Sequence, residues 1–579
     1  MSGTFLRRLL PVVLSLVAAA CSGSSSPAAP NVDATLDDVT TSESAPETTD
    51  DAADDVAPEA KAPSTFLPGP YGAMPRDVAG PFTVPTADGD WSFDESWTGE
   101  DHTLFIVYSP GTVLPSATDY FRLLFKPAAV PRLLAASPPN VHYVFLWHSD
   151  QPGFQAFVAA AQAQIDALAG DARDHWKPRV HFVTDQVDGL TGWLGDTYRE
   201  RIKAKLPGKR YDAQQFAVDR TQHVREVGML GRLGASGTSP DLAFLADEPV
   251  YYEYEHARDV KLAAEKATVI SLFKDQTVVD TTTFDVTLPD AATMASFDTL
   301  EVDLTMNCEH HRDGECGAWD YISDLRLCHD APPSGDAGLD ADPDAAPPAP
   351  QCDLELARWI TSYWRETHWV TDVSGMLAFL RSGGHQTMRW YASKQWDPRP
   401  ANYVVSLSLR LSNSGKGMKP VSATKLFEGA RLDPDYAAKY PPMKLDVPSD
   451  AKKAEIYALI TGHGSETDQC AEFCNHTHHF SVNGAPEHVL SFPEAQTNDG
   501  CRKRISEGVV PNQFGTWYFG RGGWCPGLDV RPFEVDITKE LKLGSDNTLS
   551  YRALIGTSAP AMGSTYGDIH MTTYLVIWK

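Results

Sequence analysis

The chain has 579 residues, a length that predicts several domains. Its formal net charge of −28 argues against nucleic acid as a partner, because a strongly acidic protein repels a phosphate backbone. Part of this charge is local, since residues 33–59 carry ten Asp or Glu and no Lys or Arg.

The first twenty residues have the pattern of a secretory signal. Two arginines precede the apolar run Leu9–Val17, and a small-residue cleavage site ends at Cys21, as in bacterial lipoproteins. The pattern predicts removal of residues 1–20 and lipidation of Cys21; ordinary secretion with an incidental cysteine is the alternative. Ser22, in place of aspartate, favours the outer membrane or cell surface of a Gram-negative bacterium.

Residues 21–65 are predicted to be a disordered linker. The acidic stretch 33–59 is rich in Ala, Ser, Thr and Pro and has too few apolar residues to bury a core. We expect it to hold the folded part away from the membrane, which the protein contacts only through its lipid. Calcium binding by the acidic run is the alternative to plain solvation.

The cysteine count indicates an oxidising compartment. Of nine cysteines, eight remain when Cys21 is set aside, and an even number in an exported chain favours four disulfides. A zinc site with cysteine ligands is the alternative, but the sequence has no C-x-x-C pair to support it.

Strand-like and helix-like segments alternate between residues 66 and 260, which predicts an α/β domain. The segments with this pattern are the strands 104–108, 141–147, 179–183 and 215–218 and the helix 154–168. Their order is loosely similar to that of thioredoxin-like domains. Because the region contains no cysteine, thiol redox chemistry is excluded, and we interpret it as a binding or scaffold domain.

After about residue 268 the pattern changes to short alternating or β-branched runs between Pro and Gly residues. Segments 299–305, 403–409 and 574–578 are examples. Many short strands with turn signals are typical of sandwiches and jelly rolls, so this part is predicted to be mainly β. An Asp-, Ala- and Pro-rich insertion at 329–351 is expected to be a disordered surface loop.

Two cysteine-pinned segments are the most informative about function. In Cys470-Ala-Glu-Phe-Cys474, a bridge between the cysteines would fix the direction of Glu472, and hydrolytic sites need such preorganised carboxylates. The second segment is Gly523-Trp-Cys-Pro-Gly527. Together with Cys316-Gly-Ala-Trp-Asp320, these motifs resemble the peptide-N-glycosidase F family over about residues 268–579.

The resemblance implies a fold of two eight-stranded jelly rolls packed side by side, at about 268–415 and 416–579. It implies no cofactor, and its expected partners are N-linked glycoproteins or glycopeptides acted on by a monomer. Proximity and the resemblance together suggest three disulfides and leave a fourth pair at the base of the insertion. These pairs are Cys308–Cys316, Cys470–Cys474, Cys501–Cys525 and Cys328–Cys352.

The resemblance also implies site residues for cleavage of a glycan–asparagine amide. Asp320, from the Cys-x-x-Trp-Asp motif, would be the principal catalytic group, and Glu472 would be the second carboxylate. Substrate-binding roles are expected for Trp319, Phe473, Arg521, Trp524, Trp396, Lys394 and His463. Core packing is an alternative for Trp524, and simple pairing with an acid is an alternative for Arg521.

The sequence departs from the family in three places. The family's Tyr-x-Glu-x-Trp strand corresponds here to Tyr391-Ala-Ser-Lys-Gln-Trp396, in which Lys394 replaces the acid. Its Gly-Trp-Gly-His segment corresponds to Gly462-His-Gly-Ser465, and the arginine after the catalytic aspartate is Tyr321. These differences favour a second hypothesis, a non-catalytic surface module that binds glycans or glycoproteins.

A pair of histidines suggests a third hypothesis. His476 and His478 lie two residues apart, and in a strand this spacing puts both rings on one face, where they could bind copper. Copper-dependent hydroxylating monooxygenases also consist of two jelly rolls. However, the adjoining Cys-Ala-Glu-x-Cys loop belongs to the glycosidase family, whose corresponding strand reads Arg-Thr-His without a metal, so we expect none.

The lipoprotein prediction is tested by Cys21→Ser, because the substitution removes the only thiol that can be acylated. We expect the wild-type protein to fractionate with membranes and to carry acyl chains on Cys21. The variant should be soluble or remain unprocessed. Cell fractionation with mass spectrometry of the N-terminal peptide measures both, and a soluble, unacylated wild type would show the prediction to be wrong.

Overall fold

The structure, a computed structural model, describes residues 65–108, 125–148, 150–203, 215–228, 242–278, 280–330, 350–392, 402–464 and 470–579. The expected signal segment, Cys21, the acidic linker up to residue 64, and most of the insertion lie outside these ranges. So do Lys394 and Trp396. Across the described ranges, no helix is both long enough and apolar enough to cross a membrane.

The first domain contains one mixed sheet. Its strands are β1 (Thr83–Thr86), β2 (Gly89–Ser92), β3 (His102–Tyr108), β4 (Val141–Trp147), β5 (Val180–Gln186), β6 (Phe216–Val218) and β7 (Val224–Glu226). Its helices are α1 (Val130–Ala136), α2 (Gln151–Asp166), α3 (Gly170–Trp176), α4 (Gly192–Lys203) and α5 (Asp247–Ala264). The strand order is β2-β1-β5-β4-β3-β6-β7, with β3, β4 and β5 parallel and the outer strands antiparallel.

Burial on both faces explains why the central strands are continuous apolar runs. In β3, Leu104 and Ile106 belong to one hydrophobic cluster, whereas Phe105 and Val107 belong to another on the opposite face. Parallel strands covered on both sides lose the polar alternation of half-exposed strands. The α/β class is as predicted, and the likeness to thioredoxin-like domains stays a prediction.

Eight strands of the described chain form the first jelly roll, in two antiparallel sheets. They are β8 (Thr268–Val278), β9 (Thr281–Asp290), β10 (Thr299–Asn307), β11 (Ile322–His329), β12 (Gln351–Ile360), β13 (Thr367–Asp372), β14 (Gly383–Tyr391) and β15 (Tyr403–Ser412), with short helices α6 (Ala291–Met294) and α7 (Leu377–Leu380). The sheet orders are β13-β10-β15-β8 and β12-β11-β14-β9.

Another eight described strands form the second roll in the same way. They are β16 (Pro420–Glu428), β17 (Met443–Asp446), β18 (Lys453–His463), β19 (His476–Val482), β20 (His488–Ser491), β21 (Phe533–Asp536), β22 (Asp546–Ile555) and β23 (Asp568–Trp578). The orders are β16-β23-β18-β21 and β17-β22-β19-β20. The predicted fold class, mainly β with two eight-stranded rolls after an α/β domain, is confirmed.

The two rolls pack side by side through strand β12 of the first and strands β18 and β23 of the second. Arg358 on β12 donates hydrogen bonds to Thr461 Oγ1 at 2.9 Å and to the His570 carbonyl at 2.8 Å. The same guanidinium forms a two-pronged pair with Glu355, at 2.7 and 2.8 Å. These groups are buried, and an unpaired buried charge would destabilise the protein. Their pairing with one another offsets the free-energy cost of burying polar groups in this interface.

The four disulfides of the structure are the four predicted pairs, Cys308–Cys316, Cys328–Cys352, Cys470–Cys474 and Cys501–Cys525. The first and third each close a short loop beside a motif carboxylate. The fourth joins the two ends of a long irregular segment between β20 and β21, which supplies Arg521 to the site described below.

These disulfides predict that none of the eight cysteines outside Cys21 reacts with an alkylating reagent in the native protein, because a disulfide sulfur carries no thiol. Alkylation before and after reduction in denaturant, followed by peptide mass spectrometry, measures this. The reduced sample is the control and should show all eight labelled. Label on any of them without reduction would contradict the pairing.

Candidate active site

Asp320 lies at the entrance to strand β11, two residues before the strand begins. Its backbone is held in place by Thr361, which follows β12: the Thr361 hydroxyl donates to the Trp319 carbonyl at 2.8 Å and accepts from the Tyr321 N–H at 2.8 Å. The Asp320 carboxylate accepts a 2.6 Å hydrogen bond from the Tyr363 hydroxyl. The aspartate of the first roll therefore has a fixed direction.

Glu472 comes from the second roll, in the disulfide loop between β18 and β19. Its N–H donates to the Gly464 carbonyl at 3.2 Å, and its own carbonyl accepts from the Gly522 N–H at 2.7 Å. Gly522 must be a glycine, since a Cβ there would lie 2.3 Å from His476 Nε2 and 2.5 Å from the Ala471 carbonyl. This close approach brings the segment that carries Arg521 against the Glu472 loop.

Arg521 joins the two carboxylates. Its Nε lies 3.2 Å from Glu472 Oε1, and one Nη lies 3.5 Å from Asp320 Oδ2. The remaining donors bind the Thr516 and Phe519 carbonyls, the Thr516 hydroxyl and the Tyr363 hydroxyl, at 3.0, 3.0, 3.0 and 3.4 Å. All five N–H groups of this buried guanidinium are thus used inside the protein.

Two aromatic rings flank the same guanidinium. The centroid of Trp524 lies 4.8 Å from the Arg521 Cζ, and that of Phe473 lies 5.1 Å from it. Contacts of this kind attract the cation to the ring faces. Trp524 is 3% exposed, and its indole N–H donates to the Gly462 carbonyl at 2.7 Å.

The structure places both Arg521 and Trp524 in the interior. The Arg521 donors bind groups of the protein, and Trp524 packs against its guanidinium. These positions fit the alternatives of acid pairing for Arg521 and core packing for Trp524, and a substrate-binding role for either residue stays a prediction. His463 stacks behind Trp524, with ring centroids 5.2 Å apart, and its Nε2 lies 2.8 Å from Thr461 Oγ1. Burial lowers the pKa of His463 well below its usual value, so this ring is neutral.

Burial raises the pKa of both carboxyl groups. For Asp320, the Arg521 charge and the hydrogen bond from Tyr363 oppose the rise. For Glu472, burial again raises the pKa, Arg521 opposes the rise, and the negative charge of Asp320 adds to it. The pKa of Arg521 lies above its usual value because Tyr363, Asp320 and Glu472 outweigh the effect of burial. The pair therefore holds a proton more readily than two isolated carboxylates would.

Solvent reaches the carboxylates but not the arginine. The side chains of Asp320 and Glu472 are 16% and 18% exposed, whereas that of Arg521 is 0% exposed. Trp319 stands beside them at 49% exposure, edge-on to Tyr363 with ring centroids 6.4 Å apart. The structure thus places an exposed indole next to two solvent-accessible carboxyl groups, a type of group that transfers protons in catalysis.

The histidine pair of strand β19 is used within the fold. His476 Nδ1 lies 2.7 Å from His478 Nε2, and His478 Nδ1 lies 2.7 Å from the Tyr551 hydroxyl. Both rings are fully buried, and burial lowers the pKa of His476 to about 4. Within the part of the chain that the structure describes, no cluster of three or more His, Cys, Asp or Glu is suited to a metal ion.

Sequence reasoning missed two members of the site, Tyr363 and Thr516. Neither lies in a cysteine motif, and Tyr363 is separated from Asp320 by strand β11, the insertion and strand β12. The one local signal is that Tyr363 lies three residues after the end of strand β12, and the paired strand β11 begins two residues after Asp320.

Comparison with known proteins gives matches that each cover part of the chain. Residues 434–576 match the family model of the C-terminal domain of peptide-N-glycosidase F. Peptide-N(4)-(N-acetyl-beta-D-glucosaminyl)asparagine amidase F of Elizabethkingia miricola is 24% identical over 231 residues, which are 37% of this chain and 61% of that protein. The chain thus matches less than two thirds of that relative's length.

Among solved structures, PNGase F, a glycosylasparaginase from Flavobacterium meningosepticum, aligns with a TM-score of 0.41 and 16% identity over 54% of this chain and 96% of its own. PNGF-II aligns with a TM-score of 0.39 and 14% identity over 56% of this chain and 67% of its own. The family resemblance carried by the cysteine motifs is confirmed by the family-model and curated matches, which relate this chain to the peptide-N-glycosidase F family.

Proposed function

We propose that this protein hydrolyses the amide bond between an N-linked glycan and asparagine, as a peptide-N4-(N-acetyl-β-glucosaminyl)asparagine amidase. The observation that carries the proposal is the convergence of Asp320 and Glu472, from different rolls, on one buried arginine. The distant relationship to a protein named as such an amidase supports the reaction class. Its substrates would be N-linked glycoproteins or glycopeptides, with Trp319 as the exposed stacking face.

The surroundings of the two carboxyl groups suggest different roles. Arg521 stabilises the charge of both carboxylates, and Asp320 also accepts a hydrogen bond from Tyr363, so Asp320 is the better candidate for the ionised base. The charge of Asp320 disfavours ionisation of Glu472, so Glu472 is the better candidate for the protonated acid. Neighbouring titratable groups whose environments differ in this way divide the acid and base roles between them.

The proposed reaction follows from these roles. Asp320 takes a proton from water as the water oxygen adds to the carbonyl carbon of the asparagine side chain. The carbon–nitrogen bond then breaks, and the departing glycosylamine nitrogen receives a proton from Glu472. The products are an aspartate in the polypeptide and an intact glycan that ends in an amine. Arg521, held from behind, keeps both carboxyl groups in place without contacting the substrate.

We also propose that the protein works outside the cytoplasm, anchored by lipid at Cys21. This proposal rests on the signal-like segment and the acidic linker. The eight disulfide-bonded cysteines are consistent with an oxidising compartment.

The amidase proposal predicts that Asp320→Asn abolishes deglycosylation and that Glu472→Gln reduces it by roughly 10²–10⁴-fold, the usual contribution of a positioned acid or base. Each substitution keeps the shape of the side chain and removes its proton-transfer function. Mass spectrometry of a glycopeptide measures both, since amidase action releases the whole glycan and converts Asn to Asp. Asp196→Asn, at a 70% exposed position of α4, is the matched control and should retain activity.

The alternative function is a non-catalytic module that binds glycoproteins. It would be favoured if wild-type protein left a range of glycopeptides intact but bound them, and if Asp320→Asn bound them equally well. In that case the catalytic assignment of Asp320 would be wrong.

Tyr363→Phe gives a pH prediction. The hydrogen bond from Tyr363 lowers the pKa of Asp320, so its removal should raise that pKa further. Because the base must be ionised, the acidic limb of the kcat/KM profile should move to higher pH. Tyr440→Phe, which removes a hydroxyl bonded to a backbone carbonyl elsewhere in the second roll, is the control and should leave the limb in place. If the acidic limb of the kcat/KM profile is unchanged or moves to lower pH in Tyr363→Phe, the result would count against Asp320 as the base.

A further inference from the structure

A line of direct contacts connects the α/β domain to Arg521. It begins at the N-terminal end of α5, where both carboxylate oxygens of Asp247 accept hydrogen bonds from Arg502, from Nε at 3.1 and 2.8 Å and from Nη2 at 3.0 Å. Arg502 also donates to the Ala243 carbonyl at 3.0 Å, and its guanidinium lies 3.8 Å from the ring centroid of Phe244. Arg502 is thus fixed by the α/β domain, although it belongs to the second roll.

The backbone of Arg502 continues the line. The N–H groups of Cys501 and Arg502 both donate to the Tyr518 carbonyl, at 3.2 and 3.4 Å. The Tyr518 ring meets Phe244 edge-on, with centroids 6.3 Å apart. Trp517 and Tyr518 are buried in the same hydrophobic cluster as residues 242 and 245 of the α/β domain. The segment 516–519 therefore rests on the α/β domain through both polar and apolar contacts.

Segment 516–519 in turn fixes Arg521. The carbonyls of Thr516 and Phe519, on either side of the packed Trp517-Tyr518 pair, each accept a 3.0 Å hydrogen bond from Arg521 Nη1. The Thr516 hydroxyl accepts a third at 3.0 Å. A shift of this segment would therefore move the guanidinium relative to Asp320 and Glu472.

The same end of α5 also supports the other partner of Asp320. Glu248 is fully buried and accepts hydrogen bonds from Arg365 Nη1 and from Asn512 Nδ2, both at 2.9 Å. Arg365 lies two residues after Tyr363, whose hydroxyl binds Asp320. Consecutive residues of one helix, Asp247 and Glu248, thus fix the two chain segments from which Arg521 and Tyr363 reach Asp320.

We propose that the α/β domain is a structural part of the carboxylate site and that Arg502 is a positioning residue for Arg521. Its effect on rate rests on the proposed amidase function, whereas its effect on the order of segment 516–523 does not. This gives the α/β domain a role that needs no ligand of its own. Positioning of this kind matters because small displacements of reacting groups cost large factors in rate.

The test compares Arg502→Gln with Lys503→Gln. Both remove one positive charge from neighbouring positions, but the Lys503 side chain is 70% exposed and pairs with exposed Asp499. Hydrogen exchange followed by mass spectrometry reports on order without any need for activity. We expect Arg502→Gln to speed exchange in residues 516–523, including the Gly522 N–H bonded to Glu472, while β22 and β23 exchange as in wild type. Lys503→Gln should match wild type throughout.

Kinetics with a glycopeptide provide the second measurement. Arg502→Gln should lower kcat by roughly tenfold to hundredfold with KM nearly unchanged, because the Arg502 guanidinium binds Asp247 and the Ala243 carbonyl rather than either carboxylate of the site. Arg502→Lys keeps the charge but loses the two-pronged geometry, so its kcat should lie between those of the wild type and Arg502→Gln. If Arg502→Gln does not fold, Asp247→Asn, which weakens the same contact from the other side, takes its place with the same expectations.

Unchanged exchange at 516–523 together with an unchanged kcat would overturn the proposal. So would faster exchange throughout the second roll, since it would reveal general destabilisation rather than local support. If the wild type shows no amidase activity, the proposed function fails, but the exchange experiment still decides whether the α/β domain orders this segment.

Discussion

The buried guanidinium of Arg521 is the interaction on which the rest of the site depends. Moving an unpaired charge from water into the protein interior costs on the order of several kcal/mol of free energy. A buried arginine therefore needs hydrogen bonds and ion pairs that offset this cost. Two carboxylates, two backbone carbonyls, two hydroxyls and two ring faces do this for Arg521. These groups come from both rolls, and satisfying the cation requires the rolls to be docked. The positions of Asp320 and Glu472 are therefore set in part by Arg521, whose buried charge must be paired.

Asp320 and Glu472 could be named from sequence because both stand in cysteine motifs that resemble those of the peptide-N-glycosidase F family. Asp320 and Glu472 stand beside cysteines that close short loops. Residues close to them in sequence therefore determine much of their local environment. Tyr363 and Thr516 could not be found in this way. Their roles arise from contacts between residues distant in the chain, and neither strand periodicity nor turn chemistry records such contacts. The burial of Trp524 was equally hidden, since an aromatic residue near a cysteine suits a core and a cleft alike.

The histidines of strand β19 illustrate a different limit. Their spacing places two rings on one face, which the sequence showed, but the spacing is compatible with both a metal site and a hydrogen-bonded chain. The outcome depends on what lies opposite, and here it is the hydroxyl of Tyr551 on strand β22. In the core, His476 Nδ1 bonds to His478 and His478 bonds to the Tyr551 hydroxyl, whereas His476 Nε2 has no hydrogen-bond partner among the described residues. The contact with the partner strand, which the His-x-His pattern does not reveal, gives these rings hydrogen-bonded positions in the core.

The hydrophobic cluster shared by the α/β domain and residues 501–528 has a consequence for folding of the chain. Domains generally fold as units, the N-terminal one first as the chain emerges. The α/β domain emerges before both rolls, yet the partners of its apolar face around Phe244, Leu245 and Tyr252 include residues 501–528, which emerge near the end. That face stays uncovered while most of the β structure is made. During this interval the incompletely folded chain exposes an apolar surface. Self-association through that surface then competes with folding of the second roll.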